Sequence, residues 1–196
     1  MSTVRTPWLN NYGDIPAKLE YKTGTMWEAV ADVAAEYPDY VAYAFMGRQT
    51  TYQRFARDVA ACAKSLKKIG INPGDRVTIC MPNCPQTVIM FYAVNVVGAV
   101  ANMVHPLSSE NEIAFYLNES KSIAAITLDQ FYGKFAAIRS RVNLANLIIA
   151  DVKDALSPLM KIGYSLTAGR KIPKVPDDAP VIRWNDFIRM GRSYTG

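Results

Sequence analysis

Residues 70–107 read GINPGDRVTICMPNCPQTVIMFYAVNVVGAVANMVHPL, and the order of signals in them decides the fold class. The run opens on a turn, Asn72-Pro73-Gly74-Asp75, in which proline presets one backbone dihedral and glycine accepts a positive one. Residues 76–81 (RVTICM) are β-branched and apolar, which predicts a strand, and Pro82-Asn83 ends it because proline cannot keep donating to a ladder. A helix is predicted next. Pro85 suits a first turn, Val88, Phe91, Tyr92, Asn95 and Val96 fall at helical spacing, and Gly98 closes the element. A second apolar strand covers 100–104 and stops at His105-Pro106. Strand, helix and strand within about thirty residues make a βαβ unit, with parallel strands and a right-handed crossover. The chain is therefore expected to be α/β.

Toward the N-terminus, residues 1–24 have no sustained period and carry Pro7, Gly13, Pro16 and Gly24; they read as an arm lying on the domain, with Trp8, Tyr12 and Tyr21 as its anchors. Thr25 then caps a helix, Glu28 sits where a capping box wants an acid, and Met26, Trp27, Val30, Val33 and Ala34 form the apolar face. Pro38 ends that helix. Residues 40–46, a turn at Gly47-Arg48, and residues 49–52 read as a hairpin. Residues 52–69 form a helix whose apolar positions Phe55, Val59, Cys62, Ala63 and Leu66 recur every three or four residues, with Gly70 as its stop.

Beyond the central unit the alternation continues. Ser108 and Ser109 are candidate N-caps of a helix through Leu117, with Glu110 and Glu112 in its first turn. A strand over 123–128, a helix over 130–141 and a strand over 144–150 follow, so four strands alternating with helices argue for a doubly wound sheet. The pattern then loosens: a short helix within 156–169, a loop over 171–180 rich in proline and charge, and a strand over 181–184 followed by a helical turn. The end at Arg192-Ser193-Tyr194-Thr195-Gly196 reads as cut rather than finished.

Composition sets outer limits. Of 196 residues 50% are hydrophobic and 20% charged, which is globular, and the net charge of +5 with a pI near 9.1 suits anionic ligands such as nucleotides, CoA or anionic lipid. The cations are scattered, and Lys67-Lys68 and Arg139-Ser140-Arg141 read as solvated helix faces, so no nucleic-acid partner is expected. Cys62, Cys80 and Cys84 are odd in number and lack a second pair for zinc, which reads as a reduced, cytoplasmic chain without a metal site. Met1 to Trp8 has no signal-peptide core, and the long apolar stretch 87–104 contains Asn95, Gly98 and Asn102, so it reads as a buried helix and strand rather than a membrane span.

Chemistry-bearing motifs are sparse. The sequence contains no GxxxxGK[ST] loop, no GxGxxG after the first predicted strand of the βαβ unit, no GxSxG and no HExxH. The lone His105 follows a predicted strand, where α/β folds place ligands, and Ser108 stands close behind it; these two are the candidate cofactor-binding residues, with no catalytic or metal residue assigned. Cys84, at a predicted helix N-terminus, reads as a packed cysteine before it reads as a reactive thiol.

The order of phrases resembles the N-terminal part of AMP-forming acyl-CoA synthetases, in the adenylate-forming superfamily with luciferases and peptide-synthetase adenylation domains. Thr51-Tyr52-Gln53-Arg54-Phe55 is similar to the family's T-Y-x-E-L, and Leu66 through Gly70 to Gly74-Asp75-Arg76-Val77 to its L-x-x-x-G-x-x-x-G-D-R-V. Pro82-Asn83, Gly98-Ala99-Val100, His105-Pro106-Leu107-Ser108 and Glu112-Ile113 follow in the family's order, although His105 stands where many members have asparagine and Arg54-Phe55 departs from Glu-Leu. The resemblance implies a mainly parallel α/β sheet flanked by helices with an N-terminal hairpin, residues 25–196 being an incomplete first subdomain truncated before the phosphate loop. It also implies a ligase that activates a carboxylic acid, of the fatty-acid class, with ATP and magnesium (Mg2+) and passes the acyl group to CoA. The family's phosphate loop, adenine and magnesium segments, ribose aspartate and C-terminal lysine have no match here; Tyr194-Thr195-Gly196 only resembles a phosphate loop's opening. The fragment is then expected to be inactive alone, to have the remainder of its own polypeptide as partner, and to self-associate as a homo-oligomer through surfaces left uncovered. The alternatives are a non-catalytic α/β interaction module and a small standalone nucleotide-binding protein.

Overall fold

The computed structural model of the protein describes residues 5–21 and 23–194, so Thr195 and Gly196 of the phosphate-loop resemblance lie outside the described residues. A 3-10 turn, Pro7–Asn11, lies in the N-terminal stretch, and the three aromatic anchors expected there are not buried: Trp8, Tyr12 and Tyr21 are 51%, 37% and 81% exposed. The capping box at α1 (Met26–Glu36) forms as expected, with Glu28 N donating to Thr25 Oγ1 at 3.1 Å and Thr25 N to Glu28 Oε2 at 2.6 Å. Strands β1 (Val41–Phe45) and β2 (Arg48–Thr51) make an antiparallel hairpin whose loop is Met46-Gly47, one residue earlier than expected. Both loop residues have positive φ, 49° and 77°, the handedness that matches strand twist; a methionine at the first position hid this from the sequence.

α2 (Tyr52–Lys68) buries the predicted face and carries Tyr43 of the hairpin edge-on against Phe55, at 5.6 Å between ring centroids. β3 (Arg76–Cys80), α3 (Pro85–Val96) and β4 (Val100–Met103) are the predicted βαβ unit. The face of α3 is corrected, however. Gln86, Ile89, Met90, Ala93 and Val94 are buried, whereas Val88 and Val96 stand 37% and 40% exposed. The helix is apolar nearly all round, so period alone cannot choose its inner face. Its other side receives α1, where Trp27 N donates to Asn95 Oδ1 at 3.0 Å, which accounts for an asparagine in an apolar run.

α4 (Glu110–Ser120) is capped by Ser109, not Ser108, through a second capping box with Glu112. β5 (Ala124–Leu128), α5 (Tyr132–Ile138) and β6 (Asn146–Ala150) follow. The helix expected over 130–141 is α-helical only in α5, with 3-10 turns Asp129–Phe131 and Arg139–Arg141 on either side. α6 (Pro158–Leu166) precedes β7 (Ile182–Arg183) and α7 (Trp184–Arg192). The terminal helical turn expected from sequence is a nine-residue helix that starts at Trp184 and is built into the core.

The five parallel strands run β4-β3-β5-β6-β7 across the sheet. Alternation along each strand feeds two cores. Val77, Ile79, Ile126 and Ile148 meet α2, α3 and α7 on one face, while Cys80, Ala125, Leu147 and Ile149 meet α4 and α5 on the other. The chain leaves β3 for β4 on one side and then crosses back to β5 on the other. That reversal puts a topological switch point beyond the carboxyl ends of β3 and β5.

Candidate functional site

A crevice of about 520 Å³ opens at the switch point. Pro82 and Asn83 after β3, His105 and Leu107 after β4, and Gln130 and Phe131 after β5 line it, with Met81 and Met103 at its floor and edge. The structure therefore brings His105 to the crevice. Ser108 lies in the same loop, but its side chain is not part of the lining.

His105 is fixed by its own turn. Ser108 N donates to His105 O at 3.1 Å, and Leu107 N donates to His105 Nδ1 at 3.3 Å, so the ring accepts a backbone proton two residues on, as the side chain of an Asx turn does. From below, Lys134 Nζ of α5 donates to Pro106 O at 3.1 Å and Ser108 O at 2.7 Å and stands 5.6 Å from the Phe131 ring centroid. The β4–α4 turn is thus clamped by a lysine from across the sheet, a residue that sequence reading did not single out. Its signal is a cation in the helix after the neighbouring strand, readable only once β5 is known to lie next to β3.

The cysteines are packed. Cys80 Sγ donates to His105 O at 3.8 Å, and burial pushes its thiol up to about 11, so it stays protonated at neutral pH. Cys84 is the N-cap of α3, buried, with Sγ 3.2 Å from Thr87 Oγ1. At the next strand ends, Asp129 follows β5 and Asp151 follows β6. Burial, and then the Asp151 charge, pushes Asp129 up to about 6. Asp151 is paired with Lys153 at 2.9 Å, and burial also raises Asp154, whose Oδ1 accepts from Asn185 Nδ2 at 2.7 Å.

A second cavity, of about 440 Å³, lies between the hairpin, α2 and α7. Arg48 Nη1 of the hairpin donates to Ala155 O beyond β6 at 3.3 Å, while Gln86 Nε2 of α3 donates to Asp151 O at 2.9 Å and Arg192 of α7 pairs with Asp58 of α2 at 3.2 Å.

Three hydrogen-bonding side chains, Asn83, His105 and Gln130, in an apolar crevice can hold and orient a ligand. The residues do not fit a triphosphate at this turn. Pro82 and Pro85 remove two backbone donors where a phosphate would be cradled, and no glycine lets the backbone wrap it. Among the described residues, no group of three or more His, Cys, Asp or Glu side chains is placed to hold a metal ion. No described helix is long and apolar enough to cross a membrane.

A parallel sheet in this order, helices on both faces and a crevice at the reversal, defines an α/β domain of the class that binds ligands beyond its strand ends. Within that class the chain belongs to the AMP-binding enzyme family, whose model matches residues 30–179. It is 34% identical over 167 residues to a long-chain-fatty-acid–CoA ligase of Bacillus subtilis, and 28% identical over 157 residues to one of Salmonella typhimurium. Those matches take in 85% and 79% of this chain but only 30% and 28% of the length of those curated relatives. Among solved structures, an anthranilate CoA ligase in complex with anthranoyl-AMP superposes with a TM-score of 0.69 at 16% identity, over 85% of this chain and 28% of that one. A coronafacic acid ligase from Pectobacterium brasiliense gives 0.68 at 20% identity, over 85% and 29%. These two likenesses speak for the fold.

Proposed function

We propose that this chain is the opening portion of an AMP-forming acyl-CoA synthetase that joins a carboxylic acid of the fatty-acid class to CoA at the expense of ATP. The observation that carries the reading is 34% identity over 167 residues to a fatty-acid–CoA ligase of which the chain spans 30%. ATP, magnesium and CoA are then handled chiefly by the remainder of the polypeptide, in keeping with a β3–α3 turn that does not fit a triphosphate. The chain's own contribution is a rigid wall: the Lys134 clamp fixes the β4–α4 turn, and the crevice beside it supplies apolar surface with three hydrogen-bonding side chains.

The test is fatty-acid-dependent ATP–pyrophosphate exchange, measured with the 196-residue chain and with the protein its own cell makes, recovered by an antibody to these residues. Exchange by a cellular protein far above 21.7 kDa and none by the chain alone is the expected result. A cellular product of 21.7 kDa without exchange overturns the ligase reading and leaves the non-catalytic interaction module.

A further inference from the structure

The cavity between the hairpin, α2 and α7 has a floor whose hydrogen bonding the fold leaves incomplete. Gln86, in the first turn of α3, lines it at 1% exposure beside the buried side chains of Ile89, Trp184 and Ile188. Its Nε2 donates to Asp151 O at 2.9 Å, and because a carbonyl only accepts, the amide cannot be turned round. Gln86 Oε1 is therefore left over, buried and with no donor among the described residues. A lone buried acceptor costs about 1–3 kcal/mol, which favours an occupant that donates to it. The rim is cationic. Arg48 uses one of its donors, on Ala155 O, while Arg54 and Arg192 share the single carboxylate of Asp58 at 3.5 and 3.2 Å. Arg189 pairs with Asp186 at 3.1 Å, and Asp154, the other acid of the wall, already accepts from Asn185 Nδ2 and Asp151 N. With every one of these acids counted, the rim keeps a positive excess and guanidinium donors to spare.

We propose that this cavity binds a phosphate monoester built on a flat ring that carries an N–H donor, the chemistry of a mononucleotide. A different feature of the cavity selects each part of that ligand. Guanidinium forks match phosphate oxygens in pairs, and a phosphate monoester brings the negative charge that the rim lacks. Tyr43, Phe45 and Trp184 offer aromatic surface to the ring, and Gln86 Oε1 takes its N–H. The volume of about 440 Å³ is far more than a bare phosphate fills and lies within the roughly 300–1,000 Å³ of small-molecule pockets. The cavity shares no lining residue with the switch-point crevice, and the inference does not rest on the ligase reading. Its probe is a guanine nucleotide and its readout is binding, so either reading can fail without the other.

Guanosine 5′-monophosphate and ribose 5-phosphate are titrated by calorimetry into the protein as its cell makes it. The nucleotide is expected to fill one saturable site more tightly than the ring-free phosphate, and added salt should weaken both. Arg48→Met should weaken both by about tenfold, the loss of a charge-assisted contact. Gln86→Leu should weaken the nucleotide by about tenfold and leave ribose 5-phosphate unchanged, a split that general loosening of the floor would not produce. Ala155→Phe places a ring in the cavity, keeps the carbonyl that Arg48 uses, and should abolish the site at an unchanged unfolding temperature. Three results would overturn the proposal: no binding of the nucleotide, which would mean that water or another part of the polypeptide fills the cavity; binding that survives Ala155→Phe, which would put the site elsewhere; and equal losses for the two ligands in Gln86→Leu.

Discussion

At the scale of single residues, His105 does with an imidazole what asparagine does with an amide. Its Nδ1 takes the Leu107 N–H at 3.3 Å and closes the turn after β4. His105→Asn keeps an acceptor two residues before that donor and is expected to stay within about 0.5 kcal/mol of the parent, whereas His105→Ala orphans an exposed turn donor and should cost roughly 0.5–1 kcal/mol in urea unfolding. An Ala variant as stable as the parent would remove the structural role. Asp129 makes a pH prediction. Burial, and then Asp151, raises its folded pKa to about 6, above the unfolded value of about 3.9. The folded state therefore holds the proton more tightly, so stability present near pH 4 is lost as pH rises toward 6 and stays lost above it. Asp129→Asn keeps the Oδ1 acceptor used by Gln130 N at 2.8 Å and removes that loss. Discounted for screening at a half-buried site, the gain at pH 7 is on the order of 1 kcal/mol, or about 2–4 °C in Tm, and it should vanish near pH 4. Equal gains at both pH values in thermal unfolding would contradict a charge effect.

At the scale of elements, α7 packs onto α2 with no room for a side chain at Gly191. A Cβ at Gly191 would run into the carbonyl oxygen of Ala61 and the hydroxyl of Ser65, and that hydroxyl donates to Phe187 O. Because Gly191 has ordinary helical backbone, Gly191→Ala acts purely by overpacking and is expected to cost roughly 3 kcal/mol in urea unfolding. This contact was not legible in the sequence. Trp184, Phe187 and Ile188 have helical spacing, but over nine residues, and the two-residue β7 that leads into them exists only because β6 offers it a ladder. β3, β5 and β6 were legible because strands covered on both faces read as unbroken apolar runs, and α1 and α4 because their capping boxes are written in four residues. Half of the candidate site was legible in the same way: Pro82 and His105 could be placed just past strands. Gln130, Phe131 and Lys134 could not be joined to them, since nothing local says that β5 pairs with β3 rather than β4. α3 misled because a helix apolar on all sides has no period to read.

At the scale of the whole molecule, the two ends of the chain have opposite weights. Residues 1–24 contribute exposed aromatics: Trp8 and Tyr21 retain 51% and 81% of their surface, and no residue of Pro7–Asn11 is buried. The other end contributes Trp184, Phe187 and Ile188, at 6%, 0% and 8% exposure, to the larger core, where they meet α2 and the sheet. Burying each such side chain is worth about 1.5–3 kcal/mol, so these three together rival the roughly 5–15 kcal/mol by which a domain is stable. A chain lacking residues 1–24 is therefore expected to unfold within a degree or two of the parent, by circular dichroism, since it loses under about 1 kcal/mol. A chain ending at residue 181 should lose its cooperative transition, because α2 then shows an uncovered apolar face and the Arg192–Asp58 pair is gone. A large loss on removing residues 1–24 would mean that the arm is structural and that the folded unit does not begin at residue 25. A cooperative transition in the chain ending at 181 would mean that β7 and α7 are an accessory to a sheet already complete with four strands.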